Sequence, residues 1–362
     1  MRRKRVREGV EGLIPYPPGK PIEELEREMG IRGSIKLASN ENPLGTSPLA
    51  VQAIKDHLVR LNRYPDGSGY YLKSKLSEKY HLPLDRIILG NGSNELIELT
   101  VRTFLSEGEH AIQGFPTFLV YEKMVTAAGG RMTSVPLSDS RMDLKGILNA
   151  IRPETRVIFI NNPNNPTGSA IGREEMLQFL KEVSEDIVVA LDEAYIEFVT
   201  EEGVADGVEL LDAHPSLFVL RTFSKLYGLA GLRIGYGFGQ AWMIDYMNRV
   251  RQPFNANSLA QAAATAALDD DRFVSETLET VRDGLAYLYR GLEEIGLEYL
   301  PTQTNFFLIK VPAGGKKLYE SMLRQGVIIR AMDSYGLPEY IRVCVGLPEE
   351  NRRFIETLKR VL

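Results

Sequence analysis

Short apolar runs alternate with longer amphipathic stretches between about residue 48 and residue 255. Each run has the length of a buried strand, and the stretches between them, such as residues 173–183, have the apolar spacing of a helix. The runs occupy residues 86–89, 110–113, 156–160, 186–191 and 216–220. Because parallel strands need helical crossovers, this alternation predicts an α/β domain with a mostly parallel central sheet whose faces are covered by helices.

The pattern changes near residue 256, where the strand signals stop. Residues 256–296 have helical spacing, and three further apolar runs follow at 306–311, 326–330 and 340–346. The chain then ends in an amphipathic stretch that is typical of a helix. This second pattern predicts a smaller α+β domain at the C-terminal end.

The length of the chain also favours more than one domain. At 362 residues it exceeds the size at which a single hydrophobic core keeps growing. Residues 15–48 are rich in Pro, Gly and Asn and have the composition of an arm. We therefore expect an arm (1–47) that packs with the small domain, a large domain (48–255), and a linking helix with the small domain (256–362).

Composition narrows the class of protein. An apolar fraction of 44% and a charged fraction of 25% are those of an ordinary globular protein, and no apolar stretch is long enough for a membrane span. A net charge of −5 argues against nucleic acid or an anionic membrane as the main partner. Cys344 has no second cysteine to pair with, and the four histidines lack metal-ligand spacing. We expect a cytoplasmic protein without a metal.

Polar segments follow the predicted strands at the point where each strand ends. They are GNGSNE (90–95), NNPNNPTG (161–168), DEAY (192–195) and RTFSK (221–225). Ligands of open α/β sheets bind beyond the carboxyl ends of the strands. In GNGSNE, the backbone N–H groups of Ser93 and Asn94 can turn toward a phosphate at a helix start, although an ordinary capped turn explains the segment equally well.

Two charged residues at these strand ends suggest a specific ligand. Asp192 directly follows an apolar run, so it needs a cationic partner, and a structural salt bridge is the alternative. Lys225 precedes four glycines, Gly228, Gly231, Gly235 and Gly237, which allow close approach of a flat ligand; a surface lysine is the alternative. A ring that carries a phosphate, a basic nitrogen and an aldehyde would use all of these groups.

Eight motifs run through nearly the whole chain in order. They are PYPPGKP (15–21), LASNENPLG (37–45), RYPDG (63–67), GNGSNELIE (90–98), NNPNNPTG (161–168), LDEAYIEF (191–198), RTFSKLYGLAGLRIGY (221–236) and IRVCVGLPEEN (341–351). With these motifs the chain resembles the fold type I pyridoxal-phosphate aminotransferases, and within them the histidinol-phosphate aminotransferases. The resemblance implies an enzyme whose cofactor is pyridoxal 5′-phosphate.

The resemblance also implies roles at the reacting end of the cofactor. Lys225 would form the Schiff base with the cofactor aldehyde and later carry the proton. Asp192 would keep the pyridine nitrogen protonated, so that the ring withdraws electrons. Asn165 and Tyr195 would donate hydrogen bonds to the phenolic oxygen of the ring. By the same resemblance Phe118, where many relatives have Tyr, would stack on the ring.

The phosphate end of the cofactor is assigned in the same way. The resemblance gives this phosphate to Ser93, Asn94, Ser224 and Arg233. It also implies that Tyr64 reaches the phosphate in the neighbouring subunit, which predicts a homodimer with shared active sites.

Three further residues, together with Asn165, are implied to bind the substrate. Arg342 would bind the substrate α-carboxylate as a two-pronged fork, and Arg330 would bind the substrate's own phosphate. A surface ion pair is the alternative for each arginine. Tyr16, in the arm, would close over that end of the pocket.

The implied reaction is exchange of an amino group between L-histidinol phosphate and 2-oxoglutarate, giving imidazole acetol phosphate and L-glutamate, in histidine biosynthesis. An aromatic-amino-acid aminotransferase or an O-phosphothreonine decarboxylase of the same fold is the alternative, because these enzymes share the cofactor residues. A cofactor-sensing regulatory module is less favoured, since it needs a DNA-binding segment that we do not expect in the first 14 residues.

Overall fold

The computed structural model describes residues 6–15 and 18–362. The arm contains two helices and a short strand: α1 (Glu8–Glu11), α2 (Ile22–Met29) and β1 (Ile35–Lys36). The large α/β part contains α3 (Pro48–His57), α4 (Tyr70–Tyr80), β2 (Ile87–Gly90), α5 (Ser93–Phe104), β3 (His110–Phe115), α6 (Val120–Ala127), β4 (Arg131–Pro136), α7 (Leu144–Asn149), β5 (Thr155–Asn161), α8 (Arg173–Glu182), β6 (Val188–Asp192), β7 (Leu217–Thr222), β8 (Gly235–Phe238) and α9 (Ala241–Val250).

Two helices lead from this part into the C-terminal part, α10 (Ser258–Ala267) and the long α11 (Asp271–Ile295). The C-terminal part contains β9 (Tyr299–Leu300), β10 (Phe306–Lys310), α12 (Gly315–Arg324), β11 (Val327–Ile328), β12 (Arg330–Ala331), β13 (Tyr340–Cys344) and α13 (Pro348–Val361). Within the described ranges, no helix has both the length and the apolar character needed to span a membrane.

The central sheet has seven strands in the order β2-β8-β7-β6-β5-β3-β4. The strands from β7 to β4 pair in parallel, and only β8 runs antiparallel to its neighbours. This arrangement confirms the predicted α/β fold with a mostly parallel sheet. Three of the four segments in which chemistry was predicted follow the central strands β5, β6 and β7, and the fourth follows β2 at the edge of the sheet.

The central strands are apolar along their whole length because both faces of the sheet are covered. In β6, Val189 and Leu191 belong to the larger buried cluster on one face, whereas Val188 and Ala190 belong to the cluster on the other face. Burial on both faces explains why these strands were recognised as continuous apolar runs.

Two strands of this sheet have no counterpart among the predicted runs. β4 lies at the edge of the sheet, and most of its residues are at least partly exposed, so its sequence RMTSVP has no apolar run. β8 has the sequence GYGF, in which the glycines hide the strand signal. A β-carbon on Gly237 would lie 2.6 Å from the Phe218 ring, so the small residue is needed for packing.

The C-terminal part is built on an antiparallel sheet with the order β12-β13-β10-β9. The predicted run 326–330 divides between two sheets, because β12 pairs with β13 whereas β11 pairs in parallel with β1 of the arm. The arm also contacts the large part, since the Arg7 guanidinium donates to the Ala128 carbonyl at 3.1 Å. The arm therefore contacts both parts, and the three-part division of the chain stays a prediction.

Candidate active site

The predicted residues of β6 and β7 meet at the carboxyl edge of the central sheet. Asp192 is the last residue of β6, and it pairs in register with Asn161 of β5 and Leu220 of β7. Lys225 lies in the turn that follows β7. Parallel pairing therefore brings residues that are distant in sequence to one edge of the sheet.

The carboxyl of Asp192 is 3% exposed and accepts two hydrogen bonds. The Tyr121 hydroxyl donates to Oδ2 at 2.7 Å, and the backbone N–H of Ala194 donates to Oδ1 at 3.1 Å. Burial raises the pKa of Asp192 to about 6, while both donors and the positive charge of Lys225 act in the opposite direction. This carboxyl is poised to pair with a cationic group.

The Lys225 amine lies beside a segment of the arm. Its Nζ donates to the Ser39 carbonyl at 3.2 Å and lies 5.6 Å from the centre of the Tyr195 ring. Tyr195 is buried, and its hydroxyl accepts a hydrogen bond from Asn40 Nδ2 at 2.9 Å. Asn40 has a φ of +54°, a left-handed conformation that asparagine tolerates better than most residues. The arm thus supplies part of the wall around Lys225.

An anion-binding cradle lies at the start of α5. Gly92 precedes the helix with a φ of +77°, and a β-carbon there would lie 2.4 Å from Nη2 of Arg233. The Arg233 Nη1 in turn lies 3.5 Å from the Ser224 hydroxyl. A positive helix end with Ser93 in its first turn, a guanidinium and a serine hydroxyl therefore converge, and these groups fit a phosphate.

Asn94 also lies in the first turn of α5. It also lines a cavity of about 640 Å³ between α5 and the arm. Asn94 therefore lies at the helix end that forms the cradle and borders the neighbouring cavity.

A group of aromatic rings packs beside Asp192. Phe118 lies edge-on to Tyr121 with ring centres 5.6 Å apart, and Tyr121 stacks on Phe159 at 4.8 Å. Both Tyr121 and Phe159 are fully buried, whereas Phe118 is only partly buried. Phe118 is therefore the ring of this group that remains accessible to a flat ligand.

Arg342 and Asn165 face each other across the two parts of the chain. Arg342 is 5% exposed, and its Nη1 donates to the Asn165 side-chain oxygen at 2.6 Å. Its Nη2 donates to the Ala38 carbonyl at 2.9 Å, and its Nε has no hydrogen-bond partner within the part of the chain that the structure describes. Arg330, also buried, lies directly opposite Arg342 in the pairing of β12 with β13. Both guanidinium groups are buried, unlike those of surface ion pairs.

One predicted site residue does not join this group. Tyr64 is 84% exposed and stacks on Phe254 at 4.8 Å beside a cavity of about 830 Å³ that none of the other predicted site residues line. Tyr16 lies outside the described residues.

Three residues of the site had no predicted role. Tyr121 donates to Asp192, Asn40 donates to Tyr195, and Asn161 accepts from the backbone N–H of Asn165 at 2.8 Å. Asn161 and Asn40 lie in the motifs NNPNNPTG (161–168) and LASNENPLG (37–45), so the sequence could have identified them as candidate site residues. No motif or spacing in the sequence marked Tyr121 as a site residue, because it lies 71 positions before Asp192 and on a different element.

A lysine and an aspartate at adjacent strand ends, with a phosphate cradle beside them, are the groups that a pyridoxal-phosphate-dependent enzyme of this fold needs. The sequence model of the family "Aminotransferase class I and II" matches residues 32–358, and the chain belongs to this family. The enzyme is a transaminase whose cofactor is pyridoxal 5′-phosphate.

The chain is similar over nearly its whole length to several histidinol-phosphate aminotransferases. The chain is 46% identical over 356 residues to "Histidinol-phosphate aminotransferase 2" of Pseudomonas fluorescens, covering 98% of this chain and 96% of that protein. It is 47% identical over 354 residues to "Histidinol-phosphate aminotransferase 1" of Nitrosococcus oceani, with the same coverage. The structure of histidinol-phosphate aminotransferase from Sinorhizobium meliloti in complex with pyridoxal-5′-phosphate superposes with a TM-score of 0.89 at 27% identity, covering 99% of this chain and 98% of that one.

Proposed function

We propose that this enzyme transfers the amino group between L-histidinol phosphate and 2-oxoglutarate, giving imidazole acetol phosphate and L-glutamate, in histidine biosynthesis. Relatives of 45–47% identity over nearly the whole chain carry the corresponding name. The structural observation that carries the proposal is the pair of buried arginines, Arg330 and Arg342, on adjacent strands beside Asn165.

The two arginines suit the two anionic groups of these substrates. Histidinol phosphate has a phosphate and no carboxylate, whereas 2-oxoglutarate has two carboxylates. We assign the phosphate to Arg330 and the α-carboxylate to Arg342, whose guanidinium is already oriented by Asn165 and Ala38. A planar guanidinium binds either anion through paired, charge-assisted hydrogen bonds. The role of Tyr16, which lies outside the described residues, stays a prediction from the sequence.

The cofactor fits the remaining residues of the site. We propose that the phosphate is held by Ser93, Asn94, Ser224 and Arg233, the ring face by Phe118, the phenolic oxygen by Asn165 and Tyr195, the ring nitrogen by Asp192 and the aldehyde carbon by Lys225. When bound, pyridoxal phosphate receives the amino group of one substrate and withdraws electrons from the carbon that loses its proton.

The side chains of this enzyme move and hold protons in that reaction. The Lys225 amine takes the proton from the amine-bearing carbon of the substrate, for which its position beside Tyr195 is suited. The Asp192 carboxylate, with Tyr121 and Ala194 donating to it, keeps a proton on the facing nitrogen. The burial of Asp192 excludes water from that pair, which strengthens its attraction.

We further propose a homodimer in which Tyr64 serves the active site of the neighbouring subunit. Tyr64 lies on a surface that also exposes Val59, Leu61 and Tyr71, and large apolar side chains grouped in this way are typical of an interface. The cytoplasmic location stays a prediction from the sequence.

Half-reaction spectra test the proposed substrate. The holoenzyme is mixed separately with histidinol phosphate, phenylalanine and O-phosphothreonine, and the change in cofactor absorbance is followed. We expect histidinol phosphate to react with the highest kcat/KM. A preference for phenylalanine would assign the enzyme to the aromatic aminotransferases, and release of carbon dioxide from O-phosphothreonine would assign it to the decarboxylases.

A further inference from the structure

Tyr121 has the geometry of a residue that acts on Asp192. It lies on α6, its side chain is 0% exposed, and its hydroxyl donates to Asp192 Oδ2 at 2.7 Å. An ionised carboxylate has no proton to donate, so the hydroxyl is the donor in this bond. The bond is short, as charge-assisted bonds between a hydroxyl and a carboxylate are.

The ring of Tyr121 is held from two sides. It stacks on Phe159 with an interplanar angle of 7°, and the edge of Phe118 packs against it at 5.6 Å. Because the ring is packed in this way, its hydroxyl has a fixed position on one oxygen of the carboxylate. The other oxygen accepts from the backbone N–H of Ala194.

The balance of forces at Asp192 makes this hydroxyl important. Burial favours the neutral carboxylic acid, while the Tyr121 hydroxyl, the Ala194 N–H and the Lys225 charge favour the carboxylate. The other titratable groups that face Tyr121 are Tyr195 and Tyr335. Of the two hydrogen bonds to this carboxylate, only the one from Tyr121 is made by a side chain.

We propose that Tyr121 is a positioning residue that keeps the proton shared by Asp192 and the cofactor's ring nitrogen on the nitrogen. The proposal rests on the proposed role of Asp192. A hydrogen bond donated to the carboxylate lowers its affinity for the proton, so the ion pair of carboxylate and pyridinium is favoured over the neutral pair of acid and pyridine. Loss of the hydroxyl shifts that balance toward the neutral pair, in which the ring withdraws electrons less strongly.

The test compares Tyr121→Phe with Tyr236→Phe. Both remove a buried tyrosine hydroxyl from the large part; that of Tyr236 is bonded to Tyr80 at 3.1 Å and lies outside the active site. Each holoenzyme is prepared with pyridoxal phosphate carrying ¹⁵N in its ring, and the nitrogen chemical shift is recorded without substrate. We expect the shift to move toward that of unprotonated pyridine in Tyr121→Phe and to stay at the wild-type value in Tyr236→Phe.

Steady-state kinetics of the same variants give a second measurement of this role. In Tyr121→Phe, kcat should fall about tenfold with little change in KM, because one charge-assisted bond is lost. The acid limb of the kcat profile should move to higher pH, since Asp192 then binds a proton more readily. A wild-type nitrogen shift and an unmoved acid limb in Tyr121→Phe would overturn the proposal, as would equal losses in both variants.

Two further measurements test the role of Tyr121. If Tyr121→Phe does not fold, 3-fluorotyrosine at position 121 strengthens the donated bond, and the acid limb of the kcat profile should move to lower pH; no movement of that limb would overturn the proposal. In an Asp192→Asn background, replacing Tyr121 should cost no further activity. If Asp192→Asn itself leaves the nitrogen shift unchanged, the roles of both Asp192 and Tyr121 are wrong, whereas failure of Tyr121→Phe alone overturns only that of Tyr121.

Discussion

Asp192 and Glu193 are consecutive buried carboxyls with different surroundings. Glu193 is 0% exposed, and its Oε2 accepts from two nitrogens of Arg221, at 2.9 and 2.7 Å. Its Oε1 accepts from the backbone N–H of Gly207 at 2.6 Å. Within the described residues Asp192 has no such cation bound to it, and its carboxyl accepts only from a tyrosine hydroxyl and a backbone N–H.

The difference separates a structural carboxyl from a functional one. Burial raises the pKa of both groups, and Arg221 opposes this rise at Glu193 by pairing with its carboxylate. Arg221 also contacts Asp206 at 2.6 Å, so the cluster around Glu193 is satisfied within the chain. Asp192 can still pair with a cation from a bound ligand, because the described residues place no cationic group at hydrogen-bond distance from its carboxyl. Of two adjacent acids, the less completely compensated one is the candidate for ligand binding.

The largest expected effect comes from removing the amine that faces Asp192. Lys225→Ala should abolish transamination, with a loss of at least about a thousandfold, because the amine that carries the proton is gone. The fold and the dimer should persist. The matched control is Lys310→Ala, which removes an exposed lysine and should leave activity unchanged. Borohydride reduction and peptide mapping should place the cofactor on Lys225, and a label on any other lysine would contradict the assignment.

Breaking the structural pair should cost stability instead. Arg221→Met leaves Glu193 buried without its cation, and we expect a loss of about 3 kcal/mol in the free energy of unfolding. The control is Arg249→Met, which breaks an exposed pair with Asp245 and should cost about 1 kcal/mol or less. Urea unfolding of the two holoenzymes measures the difference. Equal midpoints would show that burial of the Glu193 pair contributes nothing.

Replacing the functional carboxyl should affect chemistry more than stability. Asp192→Asn should lower kcat about a hundredfold, or ~2.7 kcal/mol, because an amide cannot hold the ring nitrogen protonated by charge. Cofactor affinity should fall much less. Steady-state kinetics and cofactor titration give the two quantities. Activity within about tenfold of wild type would remove Asp192 from this role.

A smaller effect is expected at the arginines of the substrate side. Arg330→Gln should raise KM for histidinol phosphate at least about tenfold, or ~1.4 kcal/mol, and spare slow turnover of unphosphorylated histidinol. Arg342→Gln is the matched comparison and should damage the 2-oxoglutarate half-reaction most. Both half-reactions are measured in each variant. Equal losses for the phosphorylated and unphosphorylated amines would exclude Arg330 from the phosphate site.

The smallest effect concerns the pH dependence of stability without cofactor. Burial raises the pKa of Asp192 to about 6 in the folded chain from its ordinary value of 3.8, so the folded state holds this proton to higher pH than the unfolded state. Its contribution to stability is therefore greatest below pH 4 and is lost as the pH rises toward 6. Asp192→Asn should raise the melting temperature of the cofactor-free protein at pH 7 and flatten its dependence between pH 4 and 6. An unchanged profile would contradict the raised pKa.

Local pattern determined the central strands and the residues at their ends. Strands β5, β6 and β7 are buried on both faces, so their apolar runs are continuous, and the residues that follow, Asp192 and Lys225 among them, come to one edge wherever parallel strands pair. The roles of these residues came from the order of the motifs along the chain. The sequence did not predict edge strand β4 or glycine-rich β8, because exposure in β4 and small side chains in β8 remove the apolar signal of a strand.

Only the tertiary structure decided which distant side chains meet. Tyr121 reaches Asp192 across 71 positions, and Arg342 reaches Asn165 across 177, and neither contact leaves a periodic signal in the sequence. The sequence by itself determined the central strands, the strand-end chemistry and, through its motifs, the family. The pairing of Glu193 with Arg221, and the absence of such a cation at Asp192, depended on the side of the sheet that each side chain faces, since consecutive residues point in opposite directions.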